Sequence, residues 1–375
     1  MNRIVHLGKF YPPDMGGTEI ITQSVAKAAS EVGYDVVVVC FGQSGNGGDK
    51  DAGVSVLRYP VAKIVSSQPL SFGYFFAAVR EARKADIVHL HAANFLSALS
   101  ILFIGFRPKL LVHWHMDVIG KGVLGKIVVP LEWLMLKRAD LIVATSQRYV
   151  ERSIPLKPFL SKVRVVPLGI TPAQIGCEKC ALPERLADFI GTRRFVLSVG
   201  RLSAYKGFPF LIEAAKYLPG DVAVVIAGGG ELARELAGLI DENGLQNKVL
   251  LAGRVSQEEL TSLYQNADLF CLPSILRSEA FGVVLLEAMA YSLPIVATNI
   301  IGSGVSWVNE EGVSGLNVTP GNSKELADAC IRILSDDDLR LKYSIGARKR
   351  YENNFTEERF RELSLAVYAD ILKNR

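Results

Sequence analysis

The sequence predicts an α/β protein of two lobes, each a parallel sheet covered by helices on both faces. Three observations predict it. The chain has 375 residues, too many for one ordinary core at about 100–200 residues per domain. Short β-branched runs alternate with helical stretches along its whole length, and that alternation folds as parallel sheet with helical crossovers. The rhythm stops at Thr171–Arg194, a stretch with two prolines, Gly176 and Gly191, and then restarts. A composition of 49% hydrophobic and 21% charged residues with 33 glycines excludes disorder, collagen and coiled coil.

In order, Arg3–Leu7 reads as a strand, Thr18–Val32 as a helix and Asp35–Cys40 as a strand. Ile87–His91 is a strand, followed by a helix over Phe95–Phe106. Lys109–His113 is a strand, Gly122–Arg138 a helix, Leu141–Ala144 a strand, and Lys162–Pro167 closes the first series. In the second series Phe195–Val199, Val222–Ala227, Val249–Ala252, Leu269–Leu272, Pro294–Thr298 and Gly315–Val318 read as strands. Ser256-Gln-Glu-Glu259 has the form of a capping box and opens a helix. Ser323–Leu334, Asp337–Tyr351 and Thr356–Lys373 are the last helices. The division that follows is a first lobe over 1–175, a linker over 176–191 and a second lobe over 192–355. The final helix, 356–375, is free to pack back on the first lobe.

The longest uncharged apolar run, Ala92 to Phe106, is shorter than the ~20 residues a spanning helix needs and contains Asn94. The N-terminus lacks the apolar core of a signal peptide. Five cysteines form no disulfide framework, and Cys177-x-x-Cys180 has no second pair or nearby histidine to complete a metal site. The expected location is cytoplasmic, with the inner face of the cytoplasmic membrane as the alternative.

The formal charge of +4 hides a division. Residues 1–180 hold 21 basic and 13 acidic side chains; residues 181–375 hold 21 and 25. In the first lobe, Arg107, Lys109, Lys121, Lys126, Lys137 and Arg138 flank the apolar Val123–Leu124, Ile127–Val129 and Trp133–Leu136. Basic residues beside an amphipathic helix suit an anionic membrane surface; a solvated rim over a core helix is the other reading. No nucleic-acid motif accompanies the charge.

Two glycine loops follow strands. Gly16-Gly17 stands at a helix start, where free backbone N–H groups favour an anion; a plain βα turn is the competing reading. Gly228-Gly229-Gly230-Glu231-Leu232-Ala233 imitates a dinucleotide fingerprint. It lies after the second strand of its lobe, and the next strand ends Leu251-Ala252-Gly253-Arg254 with no acidic residue for a ribose. No nicotinamide cofactor is expected.

Gly200-Arg201 leaves the first strand of the second lobe, with Lys206 a few residues on. A planar guanidinium and an ammonium at a strand exit suit a diphosphate. Further on, Glu279 sits just before a helix that starts near Phe281, and Glu287 lies inside that apolar helix. Carboxylates accept hydrogen bonds from sugar hydroxyls, and the amides of 280–283 at the helix start suit a phosphate. A cap at Glu279 and a buried ion-pair partner at Glu287 would be the structural alternatives. His89, His91, His113 and His115 fall at two strand ends of the first lobe, and alternation puts His113 and His115 on one face.

The Glu279-x7-Glu287 pattern in Ser278-Glu279-Ala280-Phe281-Gly282 and Glu287-Ala288-Met289-Ala290 resembles the signature of retaining GT-B glycosyltransferases of family 4. So do Val199-Gly200-Arg201-Leu202 with Lys206-Gly207, Gly312-Val313-Ser314-Gly315-Leu316 with Pro320-Gly321-Asn322, Gly16-Gly17 and His113-Trp114-His115-Met116-Asp117. The resemblance spans nearly the whole chain and is tightest from Phe195 to Leu334. It implies the GT-B fold, two Rossmann-like lobes with parallel sheets facing a central cleft. It implies transfer of a hexosyl group from a nucleotide-sugar, GDP-mannose or a UDP-sugar, to a saccharide acceptor, lipid-linked, in polysaccharide or O-antigen assembly.

Carried onto this sequence, the family pattern gives Arg201 and Lys206 the donor diphosphate and Glu287 the ribose. Glu279 takes a sugar hydroxyl, and the backbones of Ala280, Phe281, Gly282 and Val283 take sugar and phosphate. Gly253 and Val255 lie near the base, Gly200 lets the chain approach the ligand, and Gly16 and Gly17 meet the diphosphate from the first lobe. His115 faces the anomeric carbon, with His113 as its substitute and Asp117 orienting His115 or meeting the acceptor. No cofactor and no metal is implied. Two rivals share the fold: a nucleotide-sugar 2-epimerase, which would release free epimer, and a non-catalytic sugar-binding protein, which would not hydrolyse donor.

Overall fold

The computed structural model describes residues 1–14, 17–42, 47–65, 68–117, 122–172 and 179–373. The chain divides into two compact units. Unit 1 comprises Met1–Leu168 with Glu357–Arg375, and unit 2 comprises Gly169–Thr356. The last helix, Glu357–Lys373, therefore belongs to unit 1. It packs on the helix Gly17–Glu31, where the Ser24 hydroxyl donates to Glu357 Oε1 at 2.7 Å.

The strands of unit 1 are β1 (Arg3–Leu7), β2 (Asp35–Phe41), β3 (Gly47–Asp51), β4 (Val54–Tyr59), β5 (Lys63–Val65), β6 (Gln68–Leu70), β7 (Ile87–Ala92), β8 (Lys109–Trp114), β9 (Leu141–Ala144) and β10 (Val163–Val165). Eight of them form one sheet in the order β10-β9-β8-β7-β1-β2-β4-β3, while β5 and β6 pair as a small antiparallel ribbon. Only β3 runs antiparallel in the large sheet. β1, β2, β7 and β8 are near-continuous buried apolar runs, as a sheet covered on both faces requires.

Unit 2 holds β11 (Arg194–Val199), β12 (Val222–Ala227), β13 (Val249–Gly253), β14 (Leu269–Leu272), β15 (Ile295–Thr298) and β16 (Gly315–Val318). They form an all-parallel sheet ordered β13-β12-β11-β14-β15-β16. That is the doubly wound order of a Rossmann fold, and its direction reverses between β11 and β14. A single cluster with Val196, Ile212, Val224, Leu236, Leu326 and Ile333 fills one side of this sheet. In unit 1 the reversal falls between β1 and β7. Ligands bind at such reversals, beyond the carboxyl ends of the strands.

Several elements exceed the sequence reading. The helix expected over Phe95–Phe106 stops at Ser100 and tightens into a 3-10 turn over Ile101–Phe103. Within the expected interruption lies a helix, Glu184–Ile190, and β11 already begins at Arg194. The helices Phe72–Ala82, Phe208–Ala215 and Ala233–Glu242 and the strands β3 to β6 are additional. The capping box forms: Ser256 Oγ accepts from the Glu259 amide at 3.2 Å, and the Ser256 amide donates to Glu259 Oε2 at 2.9 Å. Among the described residues, no helix is long and apolar enough to cross a membrane.

Candidate functional site

In unit 2 the two strands beside the reversal deliver the groups singled out in the sequence. Gly200 follows β11, and a 3-10 turn over Ala204–Lys206 brings Lys206 back over it. A Cβ at Gly200 would meet the Lys206 side chain at 3.3 Å. Gly207 closes that turn at φ +69°, and a Cβ there would lie 2.1 Å from Pro273 O. No side chain fits, so glycine is what allows the loops after β11 and β14 to touch.

β14 leads through Ser274 to Glu279. Lys206 Nζ lies 2.6 Å from Glu279 Oε2, and both side chains are about nine-tenths buried. The Ser274 hydroxyl donates to the same carboxylate oxygen at 2.9 Å. The backbone of 279–280 is anchored as well: Ser303 Oγ donates to Glu279 O, and the Gly304 amide donates to Ala280 O. A buried carboxylate thus has a countercharge and a hydroxyl donor beside it, partners that offset its removal from water.

The helix after Glu279 is Val283–Ala290, two residues later than expected. Gly282 caps it at φ +82° with no side-chain cap hydrogen bond, and among the described residues no side chain bonds its first amides. These N–H groups, at the positive end of the helix, are free for an anion. The Phe281 ring packs on Trp307 and Phe355, so this residue offers the site its backbone. Glu287, one helix turn on, accepts the Tyr264 hydroxyl at 2.6 Å. Burial raises its pKa, while Tyr264 and the charge of Lys206 pull it back.

Arg201 behaves differently from Lys206. It is exposed and pairs with Glu231 at 3.2 Å across a groove lined by Gly228, Gly229, Gly230, Arg254 and Val255. Gly228–Gly230 owes its glycines to packing. A Cβ at Gly228 would lie 1.9 Å from Gly200 O, and one at Gly230 2.3 Å from Leu202 O. The fingerprint-like triplet is therefore where two strand-exit loops lie backbone to backbone. Gly253 ends β13 at φ +70°, and Val255 follows half-buried in the groove wall.

In unit 1, Gly17 opens the helix Gly17–Glu31; Gly16 lies outside the described residues, as do Lys121 and Cys177. The strand ends at the centre of the sheet hold a stack of imidazoles. All five histidines of the chain are in it: His6 from β1, His89 and His91 from β7, His113 from β8 and His115 just beyond, every one buried. His113 and His115 stack at 4.1 Å between centroids and His89 and His91 at 4.4 Å. His91 Nδ1 lies 3.1 Å from His115 Nε2, and His6 Nδ1 3.1 Å from His91 Nε2. Tyr368, from the last helix, joins His6 Nε2 at 3.2 Å to His89 Nδ1 at 2.7 Å. Burial lowers every pKa, to about 3 for His6 and about 4 for His115, so the imidazoles are neutral at pH 7.

Two triads, His6–His89–His91 and His91–His113–His115, bring ring nitrogens within 4.8 Å of one another. A ligated ion lies in the plane of each imidazole it binds. Each triad contains stacked rings, closest in His89–His91 and His113–His115, with ring planes 24° and 12° apart. Rings stacked in that way do not aim at one ion, so the stack is arranged for hydrogen bonds. Asp117 turns elsewhere: its Oδ1 accepts from Trp114 Nε1 at 2.9 Å and Ser153 Oγ at 2.6 Å.

Sequence reasoning missed His6 and Tyr368, and it missed Glu132. Glu132 lies buried in the helix Gly122–Arg138, facing a cavity with Ala92, Ala93 and Asn94 at the end of β7. Burial, with the charge of Asp117, pushes its pKa up to about 7. No motif marks it; only its being the single acidic residue of an apolar and basic helix could have drawn attention to it.

Residues 187–350 match the family model for glycosyl transferases group 1, and residues 15–174 match that for glycosyltransferase family 4. The chain is 28% identical to the O-antigen chain mannosyltransferase C of Escherichia coli, covering 100% of both chains. It is 30% identical to the D-rhamnosyltransferase WbpZ of Pseudomonas aeruginosa, over 94% of this chain and 92% of that one. The solved structure of Anabaena Alr3699/HepE in complex with UDP and glucose shares the fold at a TM-score of 0.77 and 22% identity, over 98% of this chain and 100% of that one. Two doubly wound units, with an ion pair, an uncapped helix and two glutamates beyond one sheet reversal, thus meet matching family models in both halves: the chain belongs to the family 4, group 1 glycosyltransferases of the GT-B fold.

Proposed function

We propose that the enzyme is a retaining hexosyltransferase that takes a nucleotide-sugar and glycosylates a lipid-linked saccharide in O-antigen or related polysaccharide assembly. The observation that carries the donor half is the buried Lys206–Glu279 pair beside the uncapped helix Val283–Ala290. Glu279 accepts from a donor-sugar hydroxyl, and Glu287, already hydrogen-bonded by Tyr264, accepts from the ribose. The amides of Ala280, Phe281, Gly282 and Val283 hold sugar and phosphate. The base lies against Gly253 and Val255. Gly16 and Gly17 are assigned to the diphosphate from unit 1, and His115, backed by His113, to the transferring sugar.

As the bond between the anomeric carbon and the diphosphate breaks, Lys206, Arg201 and the helix amides stabilise the leaving charge. They are fixed before reaction and most are shielded from water, where such stabilisation is strongest. The acceptor hydroxyl oxygen bonds to the anomeric carbon on the same face, and its proton passes to the departing phosphate. No metal enters this scheme. Relatives named as an O-antigen chain mannosyltransferase and a D-rhamnosyltransferase, and a structural neighbour titled with UDP and glucose, support the donor class.

Melting curves with GDP, UDP and their sugars test the donor reading. The matching nucleotide is expected to raise the melting temperature, because ligand binding stabilises the native state; no shift with any of them removes it. The anomeric configuration of the product, read by NMR, tests retention.

Unit 1 supports the lipid half. Val129, Trp133 and Leu134 are exposed on one helix and Phe106 on a nearby loop, with Lys137 and Arg138 set against Trp133 and Phe106. Exposed apolar groups rimmed by cations suit anionic headgroups. Flotation with vesicles containing phosphatidylglycerol is expected to carry the protein at low salt and release part of it at high salt. Absence of binding at both removes the membrane reading.

A further inference from the structure

The histidine stack contains a continuous chain of hydrogen-bonding groups that ends at His115. Its links run His89 Nδ1 to Tyr368 hydroxyl, Tyr368 hydroxyl to His6 Nε2, His6 Nδ1 to His91 Nε2, and His91 Nδ1 to His115 Nε2. Five neutral groups each bring one donor proton to four links. Each link needs one proton between its two atoms, so the protons all point the same way along the chain. Tyr368 accepting from both neighbours would strand its own hydroxyl proton in the core.

The end at His89 decides the direction. Among the described residues, His89 Nε2 is buried and has no hydrogen-bond partner. If the protons pointed away from His115, that atom would be an N–H donor with nothing to bond. If they point toward His115, it is a bare lone pair. Orphaned buried N–H groups are the rarer and costlier case. The protons therefore run from His89 through Tyr368, His6 and His91 to His115.

We infer that Tyr368, acting through His6 and His91, is a positioning residue for His115: it commits His115 Nε2 to accepting and leaves the ring proton on Nδ1. His115 then offers substrate an N–H donor at Nδ1 and has no free basic nitrogen. It acts on charge at the reacting centre by hydrogen bonding; abstracting a proton would require every link of the chain to reverse. The inference rests on the assignment of His115 to the reaction, but its geometry does not, and the two are tested separately.

The test is a long-range 1H–15N spectrum of protein with 15N-labelled histidine at neutral pH, assigned with single His→Gln variants. His6, His89, His91 and His115 are all expected to carry the proton on Nδ1, the tautomer that a free histidine side chain disfavours. An Nε2-protonated or tautomer-averaged His115 overturns the inference. So does one equivalent of Zn2+ or Co2+ bound by the stack and lost in His113→Gln. Tyr368→Phe removes the hydroxyl without touching His115. It is expected to move His115 from a single tautomer to an averaged one, and to lower kcat roughly tenfold with the donor KM unchanged, as misorientation of a catalytic group does. An unchanged nucleotide-induced melting shift confirms that the variant is folded. An unmoved His115 spectrum removes the role of Tyr368. If the wild-type spectrum is as expected but His115→Ala keeps full turnover, the chain of protons stands and the catalytic assignment of His115 falls.

Discussion

Lys206 and Glu279 illustrate how one contact joins stability to chemistry. Each alone would be an uncompensated buried charge; together, with Ser274, they are held ready before substrate arrives. Lys206→Ala is therefore expected to cost about 3–5 kcal/mol in urea unfolding, because it strands the Glu279 carboxylate. Lys206→Ala with Glu279→Gln is expected to recover part of that stability and none of the turnover, since both proposed donor contacts are gone. If the single variant unfolds like wild type, the ion pair is not the anchor of this site. The spacing of the two glutamates and the position of Lys206 after a strand were legible in the sequence, because a strand exit and a helix start are local patterns. The pairing of Lys206 with Glu279, 73 residues apart, was not: only the strand order of the sheet puts their loops side by side. Arg201, close to Lys206 in sequence, differs from it in surroundings: it is exposed and pairs with the exposed Glu231.

At the scale of elements, glycines separate into those that hold loops together and those that do not. Gly228 has φ +147° and faces Gly200 O, so Gly228→Ala is expected to destabilise unit 2 and abolish nucleotide binding. Gly238 sits inside the helix Ala233–Glu242 with nothing within 4 Å of its would-be Cβ. Gly238→Ala is expected to stabilise by about 0.4–1 kcal/mol, since alanine loses less chain freedom in a helix. Thermal melts of the pair read both effects, and equal shifts would refute the distinction. Alternating apolar runs made the buried parallel strands readable, and Ser256 with Glu259 marked a helix start correctly. The polar edge strand Gly47–Asp51 carries no such period, and its pairing with β4 depends on a neighbour already in place. The histidine stack was half legible: strand alternation placed His113 with His115. His6 and Tyr368, 362 residues apart, meet only through sheet order and the return of the last helix.

For the whole molecule, the charge division coincides with the structural one. Unit 1 holds 24 basic and 16 acidic residues and unit 2 holds 18 and 22. The histidines are divided more sharply, with five in unit 1 and none in unit 2. This gives a pH test with a definite sign. Burial lowers the folded pKa of each histidine below its unfolded value, to about 3 for His6 and about 4 for His115. Above the unfolded value of about 6.5 neither state binds these protons and stability is undiminished. As pH falls below it, the unfolded chain takes up protons that the native stack refuses. Each histidine then removes up to about 1.4 kcal/mol per pH unit, until its folded pKa is reached. Hydrogen exchange is expected to show unit 1 opening more readily as pH falls from neutral towards 4.5, with no histidine contribution in unit 2. Equal loss of protection in both units would contradict this account.

The return of the last helix to unit 1 also has a consequence for synthesis. A ribosome makes unit 2 in full by Thr356, while unit 1 still lacks Glu357–Lys373 and, with it, the Tyr368 hydroxyl. The half that is translated first is thus the half that is completed last. A nascent chain stalled before that helix carries a finished unit 2 and an imidazole stack without its tyrosine, so unit 1 gains its full set of contacts only once Glu357–Lys373 has been made.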